Sequence, residues 1–290
     1  MDQDDFIKFD FEEEYFLEDQ LKEFRSQDLL IDIPIPPWIP HDKIYSHDLL
    51  EMLHEEMDDY IDFIQPTNAE HRMRSITVQR IESVVKSIWH EAQVEVFGSF
   101  DTLLYLPSSD VDIVVFDDGI SPPGCLWELK DALLKSNIYS SIEVITGARV
   151  PIIKLTDAFT RLNVDISFNI AGGVEAAKLV KKFLKDSQCG HGIKALMLIL
   201  KQFLAERRLN EVFLGGLGSY GLLIMITSFL KMHPLIQSGV IRAKDNLGVL
   251  LIEFFELYGR QMNYDHVGIG VNLQRGAWYY LKVRSGFLTA

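Results

Sequence analysis

Two kinds of apolar spacing divide the chain. Between residues 91 and 173 the apolar positions come in short β-prone runs near 93–97, 111–116, 142–146, 151–155 and 162–168, with one helical stretch near 126–136. On both sides the spacing is helical. Residues 47–63 and 67–90 precede the strands and are separated by Pro66, while 174–185, 192–206, 218–232 and 246–262 follow, punctuated by Gly190, Gly215, Gly216 and Gly239. Thr67 with Glu70 three residues on predicts a capping box at the start of the second helix. Ahead of all this, aromatics (Phe6, Phe9, Phe11, Tyr15, Phe16) stand among Asp and Glu, and the stretch ends in I-P-I-P-P-W-I-P. Prolines at 34, 36, 37 and 40 forbid regular helix there. Residues 1–45 therefore read as an acidic, proline-containing arm that lies along the surface or binds a partner, or else as a disordered tail.

The strand at 111–116 changes the picture from fold to chemistry. Side chains on a strand alternate faces, so Asp110 and Asp112 point one way and Val111 the other. Two neighbouring carboxylates on an apolar strand repel unless a cation joins them, and hard oxygen donors at this spacing suit Mg²⁺. Just upstream, Gly98-Ser99 breaks the preceding strand. The glycine lets a triphosphate approach the backbone, and a serine opening a helix offers a hydroxyl and N–H groups to an anion. Asp165 in L-N-V-D-I-S-F lies in a run whose neighbours suggest burial on both faces, where a lone carboxylate is costly unless it is paired or bound to metal. Three aspartates on adjacent strands could hold two Mg²⁺ ions, one for an attacking hydroxyl and one for a leaving pyrophosphate.

Composition bounds the class. The 290 residues are 48% hydrophobic with four tryptophans, as expected of a folded globular chain with room for two domains. No apolar run is long enough to span a bilayer, and M-D-Q-D-D lacks the pattern of a secretory signal, so no membrane association is expected. Two cysteines, Cys125 and Cys189, are too few for a disulfide framework or a zinc site and fit a reducing compartment. The net charge of −14 is awkward for an RNA-binding protein. However, residues 1–31 carry 11 acidic and 3 basic side chains, and residues 178–208 carry eight Lys/Arg against Asp186 and Glu206. That basic stretch is either an electrostatic footprint for triphosphate or RNA, or a solvated helix face.

G-S-F followed by L-Y-L-P-S-S-D-V-D resembles the nucleotidyltransferase signature of the polymerase-β superfamily. More narrowly, the chain resembles the template-independent poly(A) polymerases of the nuclear TRAMP surveillance complex and their animal relatives. The likeness runs through R-V-P-I-I-K-L, V-D-I-S-F-N, L-K-Q-F-L-A-E-R-R-L-N, G-G-L-G-S-Y and N-L-G-V-L-L-I-E-F-F-E-L-Y-G-R, covering residues 50 to 270. It implies an α+β protein: a polymerase-β-like nucleotidyltransferase catalytic domain over 91–173, with a mixed sheet and helices, and a mostly helical central domain over 174–290. The helices of 46–90 would pack with the central domain, leaving a nucleotide cleft between the two.

The resemblance also implies roles. Asp110, Asp112 and Asp165 would be catalytic and hold Mg²⁺ or Mn²⁺. Gly98, Ser99 and Lys201 would hold the triphosphate of ATP, Tyr220 would stack on the base, and Ser219 would touch phosphate or base. Asn169 and Gly172-Gly173 would lie near the ribose. By their own surroundings, Lys201 reads as a snorkelling or charge-neutralising lysine on an apolar helix, and Tyr220 as a stacking ring or a core tyrosine. The implied reaction is addition of AMP to an RNA 3′ end. Uridylyl addition and a catalytically silent scaffold are the alternatives. The implied partners are RNA, a zinc-knuckle RNA-binding subunit and a helicase, in the nucleus or else the cytoplasm. Two departures stand out. Leu103 occupies a position where many relatives carry a second glycine, and nothing in 272–290 matches the family's base-recognition segment, so base selectivity finds no support there.

Overall fold

The computed structural model describes residues 35–282. The expectations for 1–34, and the sequence beyond 282, lie outside these residues. From Pro40 onward the described chain forms one compact unit. It begins with α1 (Leu49–Ile64) and α2 (Asn68–Ile88). Asp48 caps α1 by accepting from the backbone N–H of Leu50 and Glu51. The predicted capping box opens α2, with Glu70 N donating to Thr67 Oγ1 at 3.2 Å and Thr67 N donating to Glu70 Oε2 at 2.9 Å.

There follow β1 (Gln93–Phe97), the short α3 (Gly98–Thr102), β2 (Val111–Phe116), α4 (Gly124–Ser136), β3 (Tyr139–Ile145), β4 (Ile152–Asp157) and β5 (Asn163–Phe168). These strands make one five-stranded sheet of order β1-β2-β5-β4-β3, in which β2 and β5 run parallel and the other pairs antiparallel. One face of the sheet is apolar. Val111, Ile113, Val115, Ile153, Leu155, Val164, Ile166 and Phe168 pack there with Leu126, Leu129 and Leu133 of α4. The alternation that buries them puts the intervening residues on the opposite face, which carries the site.

The second half is helical: α5 (Gly172–Leu184), α6 (Gly190–Glu206), α7 (Ser219–Met232), the single-turn α8 (Pro234–Gln237) and α9 (Leu247–Glu256), which ends in a π-helical turn at Leu257–Gln261. These helices share a second core, built around Leu196, Leu198, Ile226, Leu230, Leu247 and Leu250. The chain then forms an antiparallel hairpin, β6 (Val267–Asn272) and β7 (Gly276–Leu281), which the sequence reading did not foresee. Ile269 and Val271 pack it against the helical core.

The two N-terminal helices part company. Met57, Ile61 and Ile64 of α1 join the helical core, whereas Ile81, Val84 and Val85 of α2 lie in the core beneath the sheet. This corrects the expectation that both pack with the helical region. Amphipathic spacing gives α2 an inward face without saying which layer receives it. The segment after α3 joins the two layers: Leu104 and Leu106 enter the helical core, and Tyr105 between them enters the sheet's.

Leu103 ends α3 with φ 60° and ψ 29° and is 48% exposed. A side chain is strained in this left-handed region, while glycine's looser unfolded chain offsets part of the relief. Leu103→Gly should therefore raise stability by about 0.5–1 kcal/mol, read as a higher urea midpoint with unchanged slope. A lower midpoint would mean that the exposed leucine is held by packing rather than strained.

Candidate active site

The site-bearing face of the sheet is a row of one residue per strand. Register pairs Phe97 with Asp112, Asp112 with Asp165, Asp165 with Lys154, and Lys154 with Glu143. The row thus crosses the whole sheet from β1 to β3. Asp110 lies two residues before Asp112, so it shares that face at the mouth of β2.

Lys154 was not singled out in the sequence, yet its Nζ lies 3.3 Å from Asp165 Oδ2. Among the described residues, no three His, Cys, Asp or Glu side chains stand close enough together to hold a metal ion by themselves. The three aspartates share a face, but Asp165 is held by a lysine.

The electrostatics leave Asp112 with excess negative charge around it. Burial first, and then Asp165 and Asp110, push its carboxyl up to about 7 against the opposing pull of Lys201 and Lys154. Asp165 is raised too, by burial, although Lys154 pulls it down. Such donors fit Mg²⁺, which takes one or two protein carboxylates and fills its shell from substrate phosphates. Among the described residues, no lysine forms an ion pair with Asp110 or Asp112 as Lys154 does with Asp165.

Gly98 sits against this pair with φ +67°, and a Cβ there would overlap Asp112 Oδ2. Only glycine lets backbone approach the carboxylate so closely. Gly173, at the start of α5, is required in the same way, because a Cβ would run into the Phe97 ring. Lys181 of α5 pins the short α3 through Asp101 at 2.6 Å.

A cavity of about 300 Å³ opens above these residues, and its lining brings together Gly98, Ser99, Asp112, Lys201, Ser219 and Tyr220. An adjoining cavity, also about 300 Å³, shares Ser99, Asp112, Lys201 and Ser219 and adds Asp110. Seven of the eight site residues predicted from sequence thus line one continuous cleft. Asp165, the eighth, lines a separate cavity with Asp110 on the far side of the row.

Lys201 donates to the Leu104 carbonyl at 2.8 Å, and burial pulls its ammonium down to about 8, partly offset by Asp112. Tyr220 is 52% exposed at the cavity wall, which rules out the core-tyrosine reading. Asn169 is differently employed. Its Nδ2 donates to the carbonyls of Asp117 and Ile120 at 2.9 Å, and its Oδ1 accepts from Asp117 N–H at 3.0 Å. That amide staples a loop and is not available to a ribose.

A second residue that the sequence reading passed over is Arg74, 2% exposed on α2. Its guanidinium donates to the carbonyls of Ser109 at 2.7 Å, Pro107 at 3.1 Å and Leu106 at 3.3 Å, and stacks on Tyr105 at 4.3 Å. It therefore clasps the loop that delivers Asp110. In sequence, H-R-M-R on a helix reads as solvated surface, and only the partner loop reveals the role.

Residues 53–185 match the model of the central palm domain of mitochondrial-like poly(A) RNA polymerase, and residues 246–285 match that of the Cid1 family poly A polymerases. Poly(A) RNA polymerase protein 2 of Saccharomyces cerevisiae is 44% identical over 81% of this chain and 40% of its own length. The chain thus spans about two fifths of that relative. The Drosophila melanogaster protein named inactive non-canonical poly(A) RNA polymerase protein Trf4-2 is 37% identical over 87% of this chain and 62% of its own. Among solved structures, the polymerase core of TRAMP, an RNA surveillance complex, superposes with a TM-score of 0.76 at 40% identity, covering 85% of this chain and 76% of that one. The protein belongs to the TRAMP-type poly(A) RNA polymerases, within the polymerase-β-like nucleotidyltransferases.

Proposed function

We propose that the chain transfers AMP from ATP to RNA 3′ ends without a template. The observation that carries this reading is the cleft in which Gly98, Ser99, Lys201, Ser219 and Tyr220 meet the carboxylate row. The bond formed joins the RNA 3′ oxygen to the α-phosphorus. The bond broken joins that phosphorus to the bridging oxygen that departs with pyrophosphate. Gly98 and Ser99 seat the phosphates, and Lys201 meets the charge gathering on the leaving group. Tyr220 lies against the base and fixes its plane without reading its edge. Asp165 accepts the proton of the attacking hydroxyl. Asp110 and Asp112 would hold Mg²⁺ or Mn²⁺, which would supply positive charge for the phosphates and a lowered pKa for the hydroxyl. The remaining rate gain comes from holding both substrates in reacting geometry.

The corresponding setting is RNA surveillance in the nucleus, with a zinc-knuckle RNA-binding subunit and a helicase as partners. A named inactive relative at 37% identity means that overall likeness does not separate enzyme from scaffold. What favours an enzyme here is that all three aspartates are present together with the phosphate-side residues. The deciding experiment incubates the chain with Mg²⁺, a short single-stranded RNA and each of the four NTPs in turn. Ladders with ATP that vanish with EDTA are the expected result. Faster extension with UTP would move the assignment to uridylyl transfer. The absence of any extension, with no ATP-induced thermal shift, would make the chain a scaffold.

A further inference from the structure

Asp157, the last residue of β4, is a fully buried carboxylate with no place in the active-site row. Lys154 faces the site, so alternation along β4 turns Asp157 to the opposite side of the sheet, toward α2. There its Oδ2 accepts from the backbone N–H of Phe159 at 3.0 Å and of Thr160 at 2.7 Å, and from the Thr160 hydroxyl at 2.9 Å. These bonds shape the turn that carries the chain from β4 into β5, the strand on which Asp165 stands.

Two side chains of α2 hold this turn from outside. Arg80 Nε lies 3.1 Å from Asp157 Oδ1, and the same guanidinium stands 5.6 Å from the centre of the Phe159 ring. The buried Thr77 hydroxyl lies 2.7 Å from that of Thr160. One turn earlier on the helix, Arg74 clasps the 106–109 loop through three carbonyls. β2 and β5 are parallel neighbours, so the loop entering β2 and the turn entering β5 lie at the same edge of the sheet. One helix thus grips both entrances, from Arg74 and Arg80, about 9 Å apart along its axis. The helix's own hydrogen bonds fix that spacing.

We propose that Thr77 and Arg80, through Thr160 and Asp157, are positioning residues for Asp165, and that α2 sets the offset between Asp110 and Asp165 by holding both strand entrances. Thr77, Arg80 and Asp157 line none of the three cavities around the row, so they act only through the strands they hold. The inference rests on the proposed AMP transfer, in which Asp165 receives a proton from the attacking hydroxyl. Loosening the turn shifts Asp165 against Asp110 and Asp112. Ser99, Lys201 and Tyr220 stand on α3, α6 and α7 and keep their places.

Replacing Asp157 itself removes the centre of the turn and endangers the fold, so the test changes its partners in the whole chain. Thr77→Val keeps the shape and deletes the hydroxyl, and Arg80→Met keeps the length and deletes the charge. Steady-state extension of a single-stranded oligoadenylate is measured with Mg²⁺ and ATP, and amide exchange is followed by mass spectrometry on the metal-free protein. Each variant should lower kcat about tenfold while the KM for ATP stays within about twofold of wild type. Thr77→Ser restores the hydroxyl and should recover most of the lost rate. Amides of residues 163–166 should exchange about tenfold faster in both variants, with those of 94–97 unchanged. Wild-type kcat in both variants, with ATP still incorporated, would overturn the positioning role and leave the transfer reading intact. A KM for ATP that rises as kcat falls, or faster exchange in 94–97 as well, would overturn it in favour of general loosening. If the wild-type chain incorporates no nucleotide, the transfer reading fails and the exchange series decides. Unchanged protection of 163–166 then overturns the hold of α2 on β5, and selective loss there upholds it.

Discussion

Asp112→Asn should abolish nucleotide addition and, in the same protein, raise the stability of the metal-free fold at pH 8. The first effect follows from removing a charged donor at the centre of the row, a loss of roughly 10³-fold or more. The second follows from linkage. The folded carboxyl titrates at about 7, pushed up first by burial and then by Asp165 and Asp110. An unfolded aspartate titrates near ~4. Because the folded value is the higher one, this group favours the fold at pH values below ~4, and that contribution is lost as pH rises through about 7. At pH 8 the native state thus carries an uncompensated buried carboxylate, which asparagine replaces without charge at nearly the same size. With Lys201 and Lys154 offsetting part of the cost, the gain should be roughly 2 kcal/mol, and it should vanish toward pH 4. Urea unfolding of both proteins in EDTA at the two pH values measures it. Equal midpoints at pH 8 would mean that solvent or a lysine already neutralises Asp112.

Arg74→Met should destabilise the fold by roughly 3 kcal/mol and slow addition more than it weakens ATP. The guanidinium is always charged, is 2% exposed and has no carboxylate partner among its hydrogen bonds. Three loop carbonyls share it, so methionine leaves three acceptors without their donor in a site that water reaches poorly. The loop they belong to runs into Asp110, while Ser99, Lys201 and Tyr220, proposed to hold ATP, stand on other elements. The signature of positioning is therefore a fall in kcat of about tenfold or more with the KM for ATP within about twofold. Arg74→Lys supplies a charge without the fork and should recover part of the stability and little of the rate. A wild-type midpoint for Arg74→Met would remove the clasp from the account.

Much of this was legible in the sequence for identifiable reasons. Period-two and helical spacing placed every strand of the main sheet and all the long helices within a few residues, and Thr67 and Glu70 marked a helix start through a local rule. Asp110 and Asp112 were readable because two carboxylates on an apolar strand have few bland explanations. What escaped was pairing. Lys154 on a strand looks like a solvated lysine until β4 is known to lie beside β5. Arg74 looks like one of several surface arginines until the 106–109 loop is folded over it. The destination of α2 needed the tertiary layer order, not its own periodicity. The C-terminal hairpin was missed because Gly268 and Gly270 interrupt its apolar alternation, although Asn272, whose side chain accepts from the backbone N–H of Gln274 and Arg275, marks the turn.

The sheet order has a consequence for how the protein is made. β5 is the last of the five strands to be synthesised, yet it is inserted between β2 and β4. Until it arrives, the β1–β2 pair and the β3–β4 pair share no ladder, Asp112 has only Phe97 beside it in register, and Lys154 has no Asp165 to hold. The cleft waits longer still, for Lys201 and Tyr220. A nascent chain therefore holds no part-built site until β5, and then Lys201 and Tyr220, have emerged, and such non-local closure slows folding. A nucleotide bound in the proposed cleft would stabilise only the closed fold, since the residues that would hold it are not together before then.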